Sequence, residues 1–424
     1  MWKNKKVLFF TVIFFLLSGV IGFGTRSVQA ESSQINTVRF NEQQYAKQII
    51  DFMNGQDTSD VKLLFKNMVD KEQKDIQIYG DEYSETIKLL WGSYIFFDIG
   101  FIGKSKLLPL LNPSLQTYPY ENNASISLYN SNTLDSFLPD TETWTLKIKN
   151  QENNTEMISV AYYTPHSPTI KENEDKVIVM HRGFRGKIDK GNDMAETRTF
   201  YDKGYNILYV DNRATSLSQG EYITFGQYES DDVLEWINYL NNTIQSNQQI
   251  VLYGGSMGAA TMLSVLAKQP PMNVTGVIEN AGFSNIREQL IYSYDSIVNN
   301  VFLMALIDNK VGVRLEDAFL MVPENNKKIV TSLNDSYVKP IANVDIDGNL
   351  PIKGVQNTNL PILFIHGMKD NVVPYSNLET LSSLSQGPTY TFSVPDAGHL
   401  QAQTVDPIGY DKAITDFLSA IFHN

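Results

Sequence analysis

One short segment combines a nucleophile with a turn that would expose it. Residues 254–258 read Gly-Gly-Ser-Met-Gly, the pattern Gly-x-Ser-x-Gly, and lie between the apolar run 250–253 and a helical pattern over residues 259–267. The glycines allow a turn too tight for side chains, which pushes the serine hydroxyl out at the end of the strand. A serine hydroxyl needs a base within about 2.6–3.2 Å to act as a nucleophile. The segment therefore predicts that Ser256 attacks an acyl carbon, provided that a base lies nearby.

Two later segments could supply that base and its partner. Residues 361–374 read Pro-Ile-Leu-Phe-Ile-His-Gly-Met-Lys-Asp-Asn-Val-Val-Pro, an apolar run followed by a loop that carries Asp370. Residues 390–399 read Tyr-Thr-Phe-Ser-Val-Pro-Asp-Ala-Gly-His, a second run and a loop that ends at His399. Together with the serine segment, they resemble the α/β-hydrolase superfamily from about Trp144 to the C-terminus. That family has a serine, an acid and a histidine in this chain order, which implies a triad of Ser256, Asp370 and His399.

Acid–base chemistry assigns one role to each member of such a triad. His399 would take the proton of Ser256 and return it to the leaving group. Asp370 would hold one imidazole tautomer and stabilise the imidazolium. Asp396 is the nearest rival acid, but it precedes His399 so closely in the chain that an orienting geometry is awkward.

Acyl transfer also needs N–H donors for the developing oxyanion. The backbone N–H of Met257, directly after the nucleophile, would be one. The family places the other after its third strand, in a His-Gly segment, but here Arg182 separates the histidine from the glycine. The resemblance therefore implies Phe184 as the second donor, with Arg185 as the alternative.

A further segment resembles a structural element of the same family. Asp211-Asn-Arg213 and the serines after it resemble the Asp-x-Arg-Gly-His-Gly-x-Ser segment, although the Gly-His-Gly portion is missing. The resemblance implies a scaffold role for Asp211 and Arg213. Residues 220–225 resemble those of bacterial secreted or membrane-anchored serine hydrolases, including serine aminopeptidase-like members.

The elements that must position these residues follow from the hydrophobic pattern. Residues 144–163 predict a β-hairpin, because two alternating runs flank a polar turn. Short apolar runs then alternate with amphipathic helices, which predicts an α/β fold with a mostly parallel, doubly wound sheet. The runs are 177–180, 207–210, 250–253, 274–278, 362–365 and 389–394.

Two regions fall outside this rhythm. Residues 31–138 predict a separate, mainly helical N-terminal region of unknown role, before an α/β-hydrolase domain over residues 139–424. Residues 283–360 form an insertion that the family resemblance implies is a lid. Apolar positions between Leu290 and Leu306 predict one wide helix face. That face would be either a roof over an acyl chain or a packing surface against the core or the N-terminal region.

Composition excludes several classes of function. The chain has no cysteine, which removes disulfides, thiolate metal sites and a cysteine nucleophile, and its five histidines make a His-rich metal site improbable. Without residues 1–30, which hold four basic groups and no acid, 30 basic residues face 47 acidic ones, a net charge of −17. Such a surface repels phosphate backbones, so we expect no nucleic acid partner.

The first thirty residues have the layout of an export signal. Lys3, Lys5 and Lys6 precede an apolar run over residues 7–24, and small residues at 28–30 offer a cleavage site. The same run would span about 27 Å as a helix, nearly a bilayer core, so an uncleaved membrane anchor stays open. Either interpretation places the protein outside the cytoplasm, secreted or at the cell surface.

Several functions fit this sequence. The favoured one is an exported serine hydrolase that cleaves carboxylic esters through an acyl-enzyme. The same triad could serve a peptidase, with Glu221, Glu279 or Glu288 holding a substrate amine, or an acyltransferase. A catalytically silent surface binding protein is a further alternative, which predicts a broken triad. The substrate is thus a small molecule, an acyl compound or a peptide, and no cofactor or metal is needed.

Overall fold

The computed structural model describes residues 39–111, 138, 140–186, 194–243 and 248–422. The predicted signal or anchor lies outside these residues, and so does most of the predicted loop between residues 108 and 139. The strands are β1 Glu142–Lys149, β2 Glu156–Thr164, β3 Lys176–His181, β4 Asn206–Val210, β5 Gln249–Gly255, β6 Val274–Asn280, β7 Ile362–Gly367 and β8 Thr389–Val394.

Helices precede the sheet, alternate with its strands and fill the insertion. They are α1 Glu42–Asn54, α2 Val61–Tyr79, α3 Ser84–Gly100, α4 Leu108–Leu111, α5 Met194–Tyr201, α6 Glu229–Thr243, α7 Met257–Ala267, α8 Ile286–Val298, α9 Val301–Val311, α10 Leu315–Phe319, α11 Asn326–Leu333, α12 Leu350–Gln356, α13 Ser376–Leu384, α14 Ala402–Val405 and α15 Pro407–Phe422. A π-helix, Asn334–Ala342, follows α11 directly.

The sheet has the mostly parallel arrangement that the sequence predicts. Its eight strands run in the order β1-β2-β4-β3-β5-β6-β7-β8. The hairpin β1–β2 is antiparallel and so is its junction with β4, whereas every later pair is parallel. The chain passes from β3 to β4 on one side and continues at β5 on the other. The loops after β3 and β5 therefore meet at a topological switch point, where ligands bind in open α/β sheets.

The N-terminal helices pack against the rest of the described chain. They pack with the insertion helices into one apolar cluster that also reaches Phe225 and Met257 of the sheet domain. Ser93 of α3 donates to the Ile329 carbonyl at 3.0 Å, and the Tyr337 hydroxyl donates to the Leu90 carbonyl at 2.8 Å. An amphipathic pattern predicts that a helix buries one face, but it does not say which surface covers that face.

The predicted single helix face over residues 290–306 is wrong, because the chain breaks there into α8 and α9. The side chain of Asn300 accepts the Leu303 N–H at 3.0 Å and so starts a new helix. Within the part of the chain that the structure describes, no single helix is long and apolar enough to cross a bilayer. Only α8 and α9 taken together reach that length and composition, across a bend of 77°.

A buried arginine joins the scaffold below the switch point. Arg213 donates to both carboxylate oxygens of Asp232 at 2.8 and 2.9 Å and to Glu152 at 3.1 Å. Its side chain is 0% exposed, and those of Asp232 and Glu152 are 3% exposed. Asp211 accepts the N–H groups of Leu217 and Ser218. These contacts tie the loop after β4 to α6 and to the β1–β2 turn.

Replacing this arginine should lower the free energy of unfolding of the protein. Arg213→Ala leaves two buried carboxylates without their partner, a loss of about 3–5 kcal/mol in the free energy of unfolding. Urea unfolding followed by circular dichroism measures it. Arg198→Ala is the matched control, because Arg198 is half exposed on α5 and lies 3.9 Å from Asp202. We expect that control to change the free energy by about 0.5 kcal/mol or less, and equal losses in both variants would contradict the assignment.

Candidate active site

Ser256 lies in a strained turn between β5 and α7. Its φ of 57° and ψ of −125° are unusual for a residue with a side chain, at a cost of about 1–3 kcal/mol. The Ser256 N–H donates to the Asn280 carbonyl at 2.8 Å, which fixes the turn against β6. The hydroxyl consequently stands at the carboxyl end of the sheet.

The two flanking glycines make this turn sterically feasible. A Cβ on Gly254 would overlap the carbonyl of Gly258, and a Cβ on Gly258 would overlap the carbonyl of His181 at the end of β3. The two glycines of Gly-x-Ser-x-Gly thus let the end of β5, the start of α7 and the end of β3 approach closely, in addition to exposing the hydroxyl.

The structure brings the three residues predicted to form a triad into one hydrogen-bonded chain. His399, five residues after β8, has its Nε2 2.9 Å from the Ser256 hydroxyl. Its Nδ1 lies 2.7 Å from Oδ2 of Asp370, three residues after β7. These distances let the imidazole accept the serine proton while its other nitrogen donates to the carboxylate.

The Asp370 carboxylate is held by four hydrogen-bond partners. Besides His399, the backbone N–H groups of Val372 and Val373 donate to it at 2.8 and 2.9 Å, and His366 Nε2 lies 3.2 Å away. Burial by itself raises the pKa of Asp370, but the bonds with the two histidines outweigh burial and hold it well below its usual range. The carboxylate is therefore ionised at neutral pH.

The rival acid lies elsewhere. Asp396 is exposed and forms an ion pair of 2.6 Å with Lys369. The imidazole of His399 bonds to Asp370 instead.

A second buried pair, whose association the sequence did not indicate, lies behind Asp370. His366 is the next-to-last residue of β7 and Glu279 that of the adjacent β6, and both side chains are fully buried. One Glu279 oxygen accepts the Gly282 N–H, whereas its Oε2 and His366 Nδ1 have no partner among the described residues. Each residue directly follows an apolar run, 274–278 for Glu279 and 362–365 for His366. This position is the one sequence signal that could have drawn attention to the pair.

Burial sets the protonation of this pair. It raises the pKa of Glu279 to about 7, against the opposing charge of His366 and the bond from Gly282. Burial lowers the pKa of His366, but its bond with Asp370 and the charge of Glu279 outweigh burial and raise it overall.

The loop after β3 runs alongside the serine. A Cβ on Gly183 would lie 3.2 Å from the Ser256 Cβ, closer than ordinary van der Waals contact. Phe184 is 41% exposed and lies against Phe225, with ring centroids 5.6 Å apart. Arg182, the inserted residue, has its side chain against Gly186.

Arg185 turns away from the serine and contacts the N-terminal region. Its φ is 52°, and its guanidinium donates to the carbonyls of Ile99, Ile102 and Gly103 at 2.6–3.2 Å. It thus caps the C-terminal end of α3, whose last carbonyls lack helical partners.

An apolar cavity of about 390 Å³ opens beside Ser256. The sheet domain contributes Phe184, Phe225, Ser256, Met257, Val372 and Val373, the N-terminal helices contribute Phe65, Ile95, Phe96, Ile99, Gly100 and Leu108, and the insertion contributes Phe283, Gln289, Leu290, Ser293, Ile297, Leu303, Met304, Ile307, Leu315 and Met321. Some apolar residues of the insertion line this cavity, and others pack against the N-terminal helices.

The three carboxylates considered for holding a substrate amine lie outside this cavity. Glu279 is buried beneath the sheet end, bonded to Gly282. Glu221 and Glu288 are exposed, and neither lines the cavity. Among the described residues that line it, none carries a charge.

The comparison with protein families places this site in a known group. Residues 156–401 match the profile of the family described as X-Pro dipeptidyl-peptidase (S15 family), a stretch that includes Ser256, Asp370 and His399. The chain belongs to the S15 family. It has the α/β-hydrolase fold.

Other similar proteins are more distant. The chain is 25% identical to the uncharacterized protein YqkD of Bacillus subtilis over 227 residues, 54% of this chain and 66% of that protein. It is 25% identical to the uncharacterized protein YfhR of Escherichia coli K12 over 221 residues, 51% of this chain and 61% of that protein. The chain thus spans less than two thirds of each of these relatives.

Solved structures resemble the fold at low identity. The Pyrococcus furiosus esterase Pf2001 matches with a TM-score of 0.48 and 16% identity, over 66% of this chain and 93% of that one. The Pyrococcus horikoshii acylaminoacyl peptidase matches with a TM-score of 0.42 and 17% identity, over 69% of this chain and 43% of that one. At such identities the likeness concerns the fold and not the substrate.

The buried Glu279 should make stability depend on pH. Its pKa rises from 4.5 in the unfolded chain to about 7 in the folded one. The folded state therefore binds more protons between these values, and its stability falls as pH rises through them. Glu279→Gln keeps an acceptor for Gly282 and removes this titration. We expect the variant to gain stability over wild type between pH 4.5 and pH 8, by at most about 3 kcal/mol.

Urea unfolding at the two pH values measures this difference. Glu235→Gln, on an exposed position of α6, removes a charge at the surface and should stay within about 0.5 kcal/mol of wild type at both. A Glu279→Gln difference that is the same at both pH values would overturn the prediction.

Proposed function

We propose that this S15 family member is a serine hydrolase that cleaves carboxylic esters with an apolar acyl group through an acyl-enzyme. One observation carries the proposal: the hydrogen-bonded chain Ser256–His399–Asp370 opens onto a cavity whose described lining carries no charge. An ester with an apolar acyl group suits such a lining, because burying a charged substrate group without a partner is costly.

The geometry allows the two halves of acyl transfer. His399 Nε2 accepts the proton of Ser256 as the hydroxyl oxygen attacks the ester carbon. The imidazolium, stabilised by Asp370, then donates that proton to the leaving alcohol. In the second half a water molecule, deprotonated by His399, attacks the acyl carbon, and the proton returns to Ser256.

Backbone N–H groups beside the serine would stabilise the oxyanion. Met257 follows the nucleophile and begins α7, so its N–H lies among the unpaired donors of a helix N-terminus. The backbone N–H of Phe184 is the second donor in our proposal, because Phe184 directly follows Gly183, which lies against Ser256, and Phe184 lines the same cavity. The N–H of Arg185 stays the alternative.

A peptidase is the second candidate, and the family description favours it. Such an enzyme would use the same three residues on an amide. The described lining offers no carboxylate for a substrate amine, which favours the ester. An acyltransferase would differ by excluding water from the acyl-enzyme. We further propose export, on the strength of the basic residues and apolar run before residue 25.

Covalent labelling tests the nucleophile. The full chain should react with a fluorophosphonate probe, and Ser256→Ala should not. Hydrolysis of nitrophenyl esters should then depend on Ser256. If the probe labels the protein but esters are not hydrolysed, and X-Pro amides are cleaved, the peptidase hypothesis would replace the esterase hypothesis. A well-folded wild-type protein that is not labelled would sink the triad assignment.

The acid is tested by a matched pair of variants. Asp370→Asn disturbs the imidazole tautomer and should lower kcat by about 10³–10⁴. Asp396→Asn removes an exposed carboxylate that pairs with Lys369, and its kcat should stay within about twofold of wild type. Steady-state kinetics on one ester measures both, and a large loss in Asp396→Asn alone would reverse the assignment.

A further inference from the structure

The N-terminal region takes part in the proposed site. Ile95, Ile99 and Gly100 of α3 line the same cavity as Ser256, and so do Leu303 and Met304 of α9. Part of the cavity wall is therefore formed by residues that lie outside the sheet. Its size, about 390 Å³, is at the low end for a pocket that holds one small molecule.

The direction of the substrate follows from the position of the base. His399 must reach the leaving oxygen to protonate it, and His399 does not line the cavity. The leaving group therefore lies on the His399 side of Ser256. The acyl part occupies the cavity, which Met257 and Phe184 also line.

Gly100 provides open space at the cavity wall. A Cβ built on this residue meets no atom within 4 Å, whereas one on Gly92 of the same helix would overlap the Phe319 carbonyl. Gly100 ends α3 without a positive φ, so a larger side chain is compatible with its backbone. The lack of a side chain here leaves more open space at the cavity wall than any other residue would.

The end of α3 is fixed relative to the serine. Arg185 binds the carbonyls of Ile99, Ile102 and Gly103 and directly follows Phe184. The wall that carries Gly100 is thus tied to the loop beside Ser256, so the cavity has a defined depth.

We propose that the acyl chain of the substrate is a linear aliphatic chain bound between α3 and α9, and that Gly100 and Met304 set the chain length accepted. This inference rests on the proposed esterase function and specifies its substrate. In a cavity without charge, each methylene added to the acyl chain should raise kcat/KM by about fourfold, because it buries more apolar surface. The increase should stop when the chain reaches the cavity wall.

A series of nitrophenyl esters from acetate to palmitate tests the proposal on the full chain. Gly100→Leu fills cavity space at the α3 wall and should lower kcat/KM for the longest accepted esters by about fifteenfold, the value of two methylenes. Its kcat/KM for acetate should stay within about twofold of wild type, because a short chain does not reach the wall. Met304→Ala widens the cavity and should shift the optimum towards longer chains.

Matched controls separate the wall from general effects. Gly55→Leu changes an exposed glycine at the end of α1, and Leu306→Ala changes an exposed side chain of α9 that lies outside the cavity lining. Both should keep the wild-type chain-length profile.

The outcomes distinguish this inference from the function on which it rests. Fluorophosphonate labelling of Ser256 with unchanged profiles in both Gly100→Leu and Met304→Ala would overturn the acyl-wall proposal and leave the serine hydrolase intact. A uniform loss over all chain lengths in both variants would also overturn it. Absence of labelling in wild type would remove the proposed function itself.

Discussion

The candidate site depends on the close approach of backbone at Gly258. The carbonyls of His181 and Arg182 at the end of β3 occupy the space where a Cβ of residue 258 would lie. Because β3 and β5 are parallel neighbours, with His181 opposite Gly254, this approach brings the loop after β3 against the turn that carries Ser256. The strained serine, the loop beside it and the start of α7 are all positioned by that one contact.

The rest of the site is a sequence of buried polar groups at the ends of adjacent strands. Asp370 accepts four hydrogen bonds, and its negative charge is maintained by two histidines. Glu279 and His366 extend this arrangement below the surface, where low polarity strengthens each interaction and makes each unpaired atom costly. On the other side of the switch point, Arg213 is likewise a buried charged group, and it lies between two buried carboxylates.

Sequence patterns predicted the strands and the turn that carries Ser256 from local information, whereas Asp370 and His399 followed from the resemblance to the α/β-hydrolase superfamily. An apolar run identifies a strand, and a glycine pattern identifies a tight turn. They did not predict the roles of Glu279 and His366, since burial beside a particular neighbour is a property of the folded chain. Likewise, the helical spacing of Ile95 shows that α3 buries a face but not that this face lines a cavity. The break at Asn300 was missed because apolar residues continue on both sides of it.

The packing of α3 against the insertion has a consequence for how the chain reaches its folded state. Leu90 and Tyr337 bond across 247 positions of sequence, and Ser93 and Ile329 across 236. The first helices are synthesised long before the residues that cover them, and chain segments that wait for distant partners expose apolar surface in the meantime. The packing of α3 is therefore completed only after the insertion has been synthesised, so its apolar surface stays exposed for longer than that of a helix whose partners are close in sequence.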